Sequence, residues 1–170
     1  MKTLAPVCKK WIIAGSIRRK LPFVSDVEIL YIPYTVNMIP DGQMFKTKMS
    51  SIAHAIESMK IGGLLELRPG KNKKTCDGTK TKLMIHIPTG VSVDFFATTE
   101  ARWYNSLVGK TGGKASNDII TNAALKMGYS WATSTAGFRK KGTRSVTAVH
   151  SEEDVFDFVG LPYLRPEDRP

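Results

Sequence analysis

Apolar residues fall along this chain in short runs whose period changes from two to about 3.6 and back, and those changes predict its elements. A strand is expected over Trp11–Ala14 and another over Asp26–Ile32, ended by Pro33. Met49, Ile52, Ala53, Ile56 and Met59 recur at helical spacing, which predicts a helix from Lys46 to Lys60 closed by Gly62-Gly63. Lys82–Ile87 and Val91–Phe96 read as two strands joined by Pro88-Thr89-Gly90. The alternation stops over Thr98–Tyr104, and Gly109–Gly113 (GKTGG) reads as a flexible loop. A helix follows from about Ser116 to Met127, capped by Ser116 or Asn117, with Ile119, Ile120, Ala123, Ala124 and Met127 on its apolar face. Short strands are expected between Tyr129 and His150 with a basic turn at Arg139-Lys140-Lys141, then a final helix from Ser151 through Val159. Residues 1–10 read as a short basic segment, a fragment of helix that feeds the first strand.

Charge changes this picture more than composition does. An apolar fraction of 42% is ordinary, but 25 Lys and Arg against 15 Asp and Glu leave a net charge of +10, the footprint of a polyanion partner. The excess is local: residues 99–150 hold eight basic and two acidic residues, and residues 151–170 hold two basic and six acidic. Arg68–Lys80 (RPGKNKKTCDGTK) reads as a basic loop, either solvated or touching phosphate. Cys8 and Cys76 have neither metal-ligand spacing nor a disulfide framework, which implies a reducing compartment. No apolar run approaches 18 residues and no signal-peptide stretch is present, so a soluble, intracellular monomer without a membrane partner is expected.

Three acids have no place in such apolar strands unless they do chemistry. Asp26 and Glu28, at positions i and i+2 of one strand, share a face, and Asp94 interrupts another strand between Val93 and Phe95. Paired carboxylates cost free energy unless a cation neutralises them, and an all-oxygen set suits Mg2+ or Mn2+. Two ions held this way are the apparatus of phosphoryl transfer. Gly15-Ser16 at the end of the first strand fits that chemistry, since glycine lets the backbone approach a phosphate, serine donates to it, and Arg18 or Arg19 can neutralise a triphosphate. Gly112 and Gly113, ahead of a helix N-terminus, can present N–H groups to an anion.

GSIRR followed by SDVE resembles the nucleotidyltransferase signature, and in detail is similar to the palm of family X DNA polymerases. The intervals fit as well, including the 66 residues from Glu28 to Asp94. TGGKASND, residues 111–118, resembles that family's TGS loop and its asparagine-bearing helix. NAALKMGY and SEEDVFDFVGLPYLRPEDRP resemble the end of its nucleotide-binding lobe. The resemblance runs from about Trp11 to Pro170. It implies an α+β fold: a nucleotidyltransferase palm over residues 1–98, with a mixed or antiparallel sheet and helices on one face, and a small carboxy-terminal α/β thumb or fingers lobe over residues 99–170.

By this resemblance Asp26 and Glu28 bridge both metals, and Asp94 binds the catalytic metal and takes the proton of a primer 3'-hydroxyl. Gly15, Ser16, Arg19, Gly112 and Gly113 hold the nucleoside triphosphate, and Asn117 reaches its minor-groove edge. Lys110, Lys114, Arg139, Lys140 and Lys141 are candidates for contacts to DNA phosphates. The implied activity is DNA polymerisation on a primer-template or gapped DNA, of short-gap repair type, with salt-sensitive DNA binding. Two alternatives remain: a nucleotidyltransferase with a non-DNA acceptor, and a nucleic-acid-binding module with a degenerate palm. The chain departs from the family at Glu28, where Asp is usual, and at Gly109-Lys110, where an aromatic pair is usual. It departs again at Thr121, where an arginine contacts the template, and at Ser92, where a basic residue two places before the third acid is common.

Overall fold

In the computed structural model, which describes residues 5–38, 47–70 and 75–170, the period-two pattern of Asp26–Pro33 builds the central element of the fold. A 3-10 turn, Ala5–Val7, leads into β1 (Cys8–Ile13), which begins three residues earlier than the apolar pattern indicates. A four-residue helical turn, α1 (Gly15–Arg18), separates it from β2 (Asp26–Pro33). A hairpin of β3 (Thr35–Met38) and β4 (Thr47–Ser50) precedes α2 (Ser51–Ile61). Then come β5 (Leu65–Leu67), β6 (Thr81–His86) and β7 (Val91–Ala97). The second half holds α3 (Trp103–Thr111), α4 (Lys114–Lys126), β8 (Tyr129–Trp131), β9 (Gly137–Lys140), β10 (Val146–Ala148) and α5 (Glu152–Phe158).

The main sheet is mixed, in the order β1-β2-β7-β6-β5, with β2 and β7 parallel and the other pairs antiparallel. Alternation along β2 and β7 sorts their side chains onto two faces. Ile29, Tyr31 and Phe95 enter a core with Ile52 and Ile56 of α2 and Met84 of β6. Leu30 and Ile32 pack on the opposite face against Trp103 and Leu107 of α3. The palm helix α2 therefore covers one face, and the far end of the other is crossed by the first helix of the second half. Each buried side chain of this size stabilises the fold by about 1.5–3 kcal/mol, enough to hold a strand that also carries acids at its open end.

Three features differ from the sequence pattern. Lys46 and residues 39–45 lie outside the described residues, and Thr47–Ser50, expected in the helix, pair instead with Thr35–Met38. The helix starts where Ser51 Oγ donates to the Val7 carbonyl at 2.8 Å, so a tertiary bond sets the boundary. In the basic loop, residues 71–74 lie outside the described residues, while the remainder folds back through bridges between Pro69 and Thr75 and between Asp77 and Lys82. Gly109–Thr111, read as a loop, is the last turn of α3.

α3 escapes the pattern because its buried side is half polar. Asn105 is fully buried yet satisfied: its amide donates to the carbonyls of Ala132 and Thr135 at 2.8 and 2.9 Å and accepts from Trp131 Nε1. Ser106 Oγ lies 2.8 Å from Thr98 Oγ1 and 3.0 Å from the Thr133 carbonyl. These bonds pin the turn after β8 to α3, and Gly109 lets it come close. A Cβ at Gly109 would overlap Thr133 Cγ2 and stand 3.4 Å from the Trp131 ring. Gly109→Ala should gain about 0.5–1 kcal/mol of helix propensity and lose roughly 1–3 kcal/mol to overpacking. Net destabilisation is expected in urea unfolding, and adding the substitution to a Thr133→Ser background, which lacks that methyl, should reverse its sign.

The second half closes on its own core of Val108, Ile120, Phe138, Val155 and Phe156. β10, β9 and β8 form a small antiparallel sheet, so Arg139 and Lys140 belong to a strand rather than to the expected turn. α4 begins two residues before Ser116, at Lys114, with Gly113 in the cap position. α5 begins as its sequence indicates, with Ser151 and Asp154 forming a reciprocal capping box.

Candidate active site

Parallel pairing of β2 with β7 does what no local pattern shows. It sets Glu28 directly beside Asp94, and Asp26 beside Ser92, so the three acids stand on one face of the sheet. Glu28 sits against the turn after β1. There Ala14 N donates to the Glu28 carbonyl at 2.8 Å, and Gly15 has a φ of 60°, with Glu28 Oε2 where a Cβ would be. Only glycine fits that turn.

Gly15 then starts α1, whose two arginines part company. Arg18 turns inward, bonding Glu152 at 3.0 and 2.5 Å and Thr111 Oγ1 at 2.7 Å. Arg19 turns toward a cavity of about 560 Å3 lined by Ser16, Asp26, Glu28, Gly112 and Gly113, among others. Among the described residues its guanidinium reaches only the Arg169 carbonyl, at 3.4 Å, and its Nε is buried without a partner. Gly15 is buried beneath this cavity. One hollow thus gathers two of the acids with the serine, arginine and paired glycines expected at a triphosphate.

Asn117 lies one turn into α4, where its amide donates to the Gly109 carbonyl at 2.9 Å while its Oδ1 is buried and unpaired. Lys114, Arg139, Lys140 and Lys141 are exposed and do not line the cavity. Lys110 is placed differently from an exposed phosphate contact. Its ammonium stands 3.3 Å from the centroid of the Phe96 ring, and burial lowers its pKa against the pull of Glu28 and Asp94.

Electrostatics mark the acids as groups in want of a cation. Burial, then the charge of Asp26, raises the Glu28 carboxyl above its usual range, opposed by Lys110 and Arg19. Burial also raises Asp94, opposed by Arg68. Arg68, just past β5, is the residue that the sequence pattern did not single out: its Nη2 lies 2.6 Å and 2.7 Å from the two oxygens of Asp94. It stands in a segment that reads only as a basic loop. The signal would have been geometric, because Arg68 N pairs with the Leu83 carbonyl and so aims the side chain across β6.

The donor set suits a hard divalent cation, three carboxylates on one sheet face with no sulfur or imidazole. The carboxylates are held apart as they stand: Asp26 by Ser25, Glu28 against Gly15, Asp94 by Arg68. Among the described residues, no three of His, Cys, Asp and Glu converge closely enough to hold a metal ion. None of the helices there is long and apolar enough to cross a membrane.

Known proteins place this geometry. Residues 106–170 match the DNA polymerase beta thumb. The whole fold is similar to Leishmania infantum polymerase beta in its ternary P/T complex, with a TM-score of 0.72 and 22% identity over 99% of this chain and 71% of that one. The ternary gap complex of the same polymerase gives a TM-score of 0.69 and 23% identity over 94% of this chain and 62% of that one. No curated protein sequence matches. Residues 106–170 thus match the polymerase beta thumb, and the chain as a whole has the polymerase beta fold.

Proposed function

We propose that this protein is a DNA polymerase that adds nucleotides to a primer 3' end by two-metal phosphoryl transfer, in short-gap synthesis. The observation that carries the reading is the β2–β7 register, which brings Asp26, Glu28 and Asp94 to one face beside the cavity of Ser16 and Arg19. The similar polymerase was captured with primer-template and with gapped DNA, which supports the same partners here.

Asp26, Glu28 and Asp94 would hold two Mg2+ or Mn2+ ions. Once bound, these supply acidity to the attacking hydroxyl and neutralise charge on the triphosphate and the leaving pyrophosphate. The chain's own groups do the rest. Ser16 Oγ and the glycine backbone at Gly15, Gly112 and Gly113 bind triphosphate oxygens, and the free side of the Arg19 guanidinium neutralises them. Asp94 takes the proton of the 3'-hydroxyl, a role suited to a carboxyl that burial has already raised. Asn117, whose amide is held by the Gly109 carbonyl and whose Oδ1 is buried, would turn from α4 toward the minor-groove edge of the incoming nucleotide. Lys114, Arg139, Lys140 and Lys141 contact backbone phosphates from the exposed side of the second lobe. Lys110 belongs with the acids rather than with the DNA.

Extension of a labelled primer on a gapped duplex, with Mg2+ or Mn2+ and each nucleoside triphosphate in turn, tests this. Templated addition that chelation with EDTA abolishes is expected. One feature favours the alternative of a non-catalytic DNA-binding palm: Arg68 occupies the third acid. Binding of gapped DNA without extension under either metal would decide for it.

A further inference from the structure

Arg68 lies outside the segments that carry the polymerase resemblance, yet it makes the closest contact to any of the three acids. The approach has an unusual form. Arginine–carboxylate pairs are frequently bidentate, with two N–H groups donating in parallel to the two oxygens. Here a single nitrogen, Nη2, straddles both oxygens of Asp94, while Nε is buried and has no hydrogen-bond partner among the described residues. The straddled edge is the one a cation would use, since both oxygens are taken up from the same side. The pair is shielded, with side-chain exposures of 22% and 9%, so the contact is little screened by solvent.

We propose that Arg68 is a built-in competitor for the metal: it occupies the chelating edge of Asp94 in the metal-free protein, and divalent cation binding at the third acid proceeds by displacing it. The inference rests on the polymerase reading of the acids. Three carboxylates on one face would repel one another, and the arrangement resolves this with internal cations, Arg68 on Asp94 and Lys110 near Glu28 and Asp94. A neutral side chain at position 68 removes the competitor and leaves Asp94 free for the ion. Arg68 thereby sets how much metal the site needs before its third ligand is available. It acts through Asp94 and is a positioning residue.

Mn2+ binding, followed by loss of the free-ion paramagnetic resonance signal, tests this without reference to activity. Wild type, Arg68→Met, Asp94→Asn and the double variant are compared, each checked for folding by circular dichroism, with Arg68→Gln as a second neutral replacement. Arg68→Met is expected to tighten Mn2+ binding about tenfold, and the gain should vanish in the Asp94→Asn background, where the two sites no longer couple. Equal or weaker binding by both neutral variants, with wild-type binding still sensitive to Asp94→Asn, overturns the competitor role and leaves the metal reading standing. Absence of Mn2+ binding in all five folded proteins overturns both.

Discussion

Asp94→Ala is expected to slow primer extension by about a thousandfold or more, a loss of roughly 4 kcal/mol of transition-state stabilisation. Under the proposed function two causes combine: Asp94 would be the third metal ligand and also the base for the 3'-hydroxyl. The same substitution should also destabilise the fold. Arg68 would keep a half-buried cation with no counter-charge, at a cost of about 1–3 kcal/mol, less than for a fully buried pair because the arginine is partly exposed. Asp94→Asn separates the two effects. Its amide oxygen still accepts from Arg68 although the counter-charge is gone, so stability in urea should lie between wild type and the alanine variant while extension falls as far as in the alanine variant. Single-turnover kinetics on a gapped duplex read the rate. Extension by Asp94→Asn within tenfold of wild type would remove Asp94 from the reacting centre, and with it the reading of three acids as one site.

Much of the palm was legible because its period-two strands pack in the way their alternation implies. Ile29 and Tyr31 meet α2, while Leu30 and Ile32 meet α3. The elements that were not legible depend on partners far away in sequence. Among the described residues β3 and β4 pair only with each other, and a four-residue run such as TKMS has no preference strong enough to announce that. α3 buries Asn105, Ser106 and Thr111 beside Trp103 and Val108, so an apolar count cannot see its face. Gly109 hides it further, because glycine inside a helix is uncommon unless another segment needs the room.

The candidate site divides along the same line. Acids in apolar strands and a glycine-serine turn are conspicuous in sequence because burial makes them costly without a purpose. Their company is not. Nothing in the sequence distinguishes Lys110 from Lys114, yet one is lodged over Phe96 among the acids and the other is exposed at the start of α4. Arg68 is likewise one of several basic residues in its segment. What singles it out is the backbone pairing that aims it across β6. Charge type can be read from a chain, but the direction of a long side chain is decided by the register of strands that pair across it.

Glu152→Ala is expected to lower stability by about 3–5 kcal/mol, a large fraction of the roughly 5–15 kcal/mol available to a domain. Glu152 joins the two halves of the molecule. It takes two bonds from Arg18 of α1, and Arg169 Nη1 lies 2.8 Å away as a second cation. Arg169, whose side chain is wholly buried, is stacked near Phe156 and Tyr163, so removing the glutamate strands one buried cation and one half-buried cation. Burial alone would raise the Glu152 carboxyl, but the bonds from Arg18 and the charge of Arg169 outweigh it and hold the pKa below the usual range. A depressed folded-state value means that this stabilisation is complete above the unfolded glutamate's pKa of about 4.3 and is lost as pH falls through the folded one. The gap in urea midpoint between wild type and Glu152→Gln should therefore be widest near neutrality and narrow below about pH 4. α1 also carries Ser16 and Arg19, so the loss should reach the cavity. Arg18→Met/Glu152→Leu, which removes the charge of both partners on the α1–α5 link, is expected to recover part of the stability without recovering nucleotide affinity. Recovery of both would mean that the ion pair holds the two halves together but does not set the position of the cavity proposed for the triphosphate.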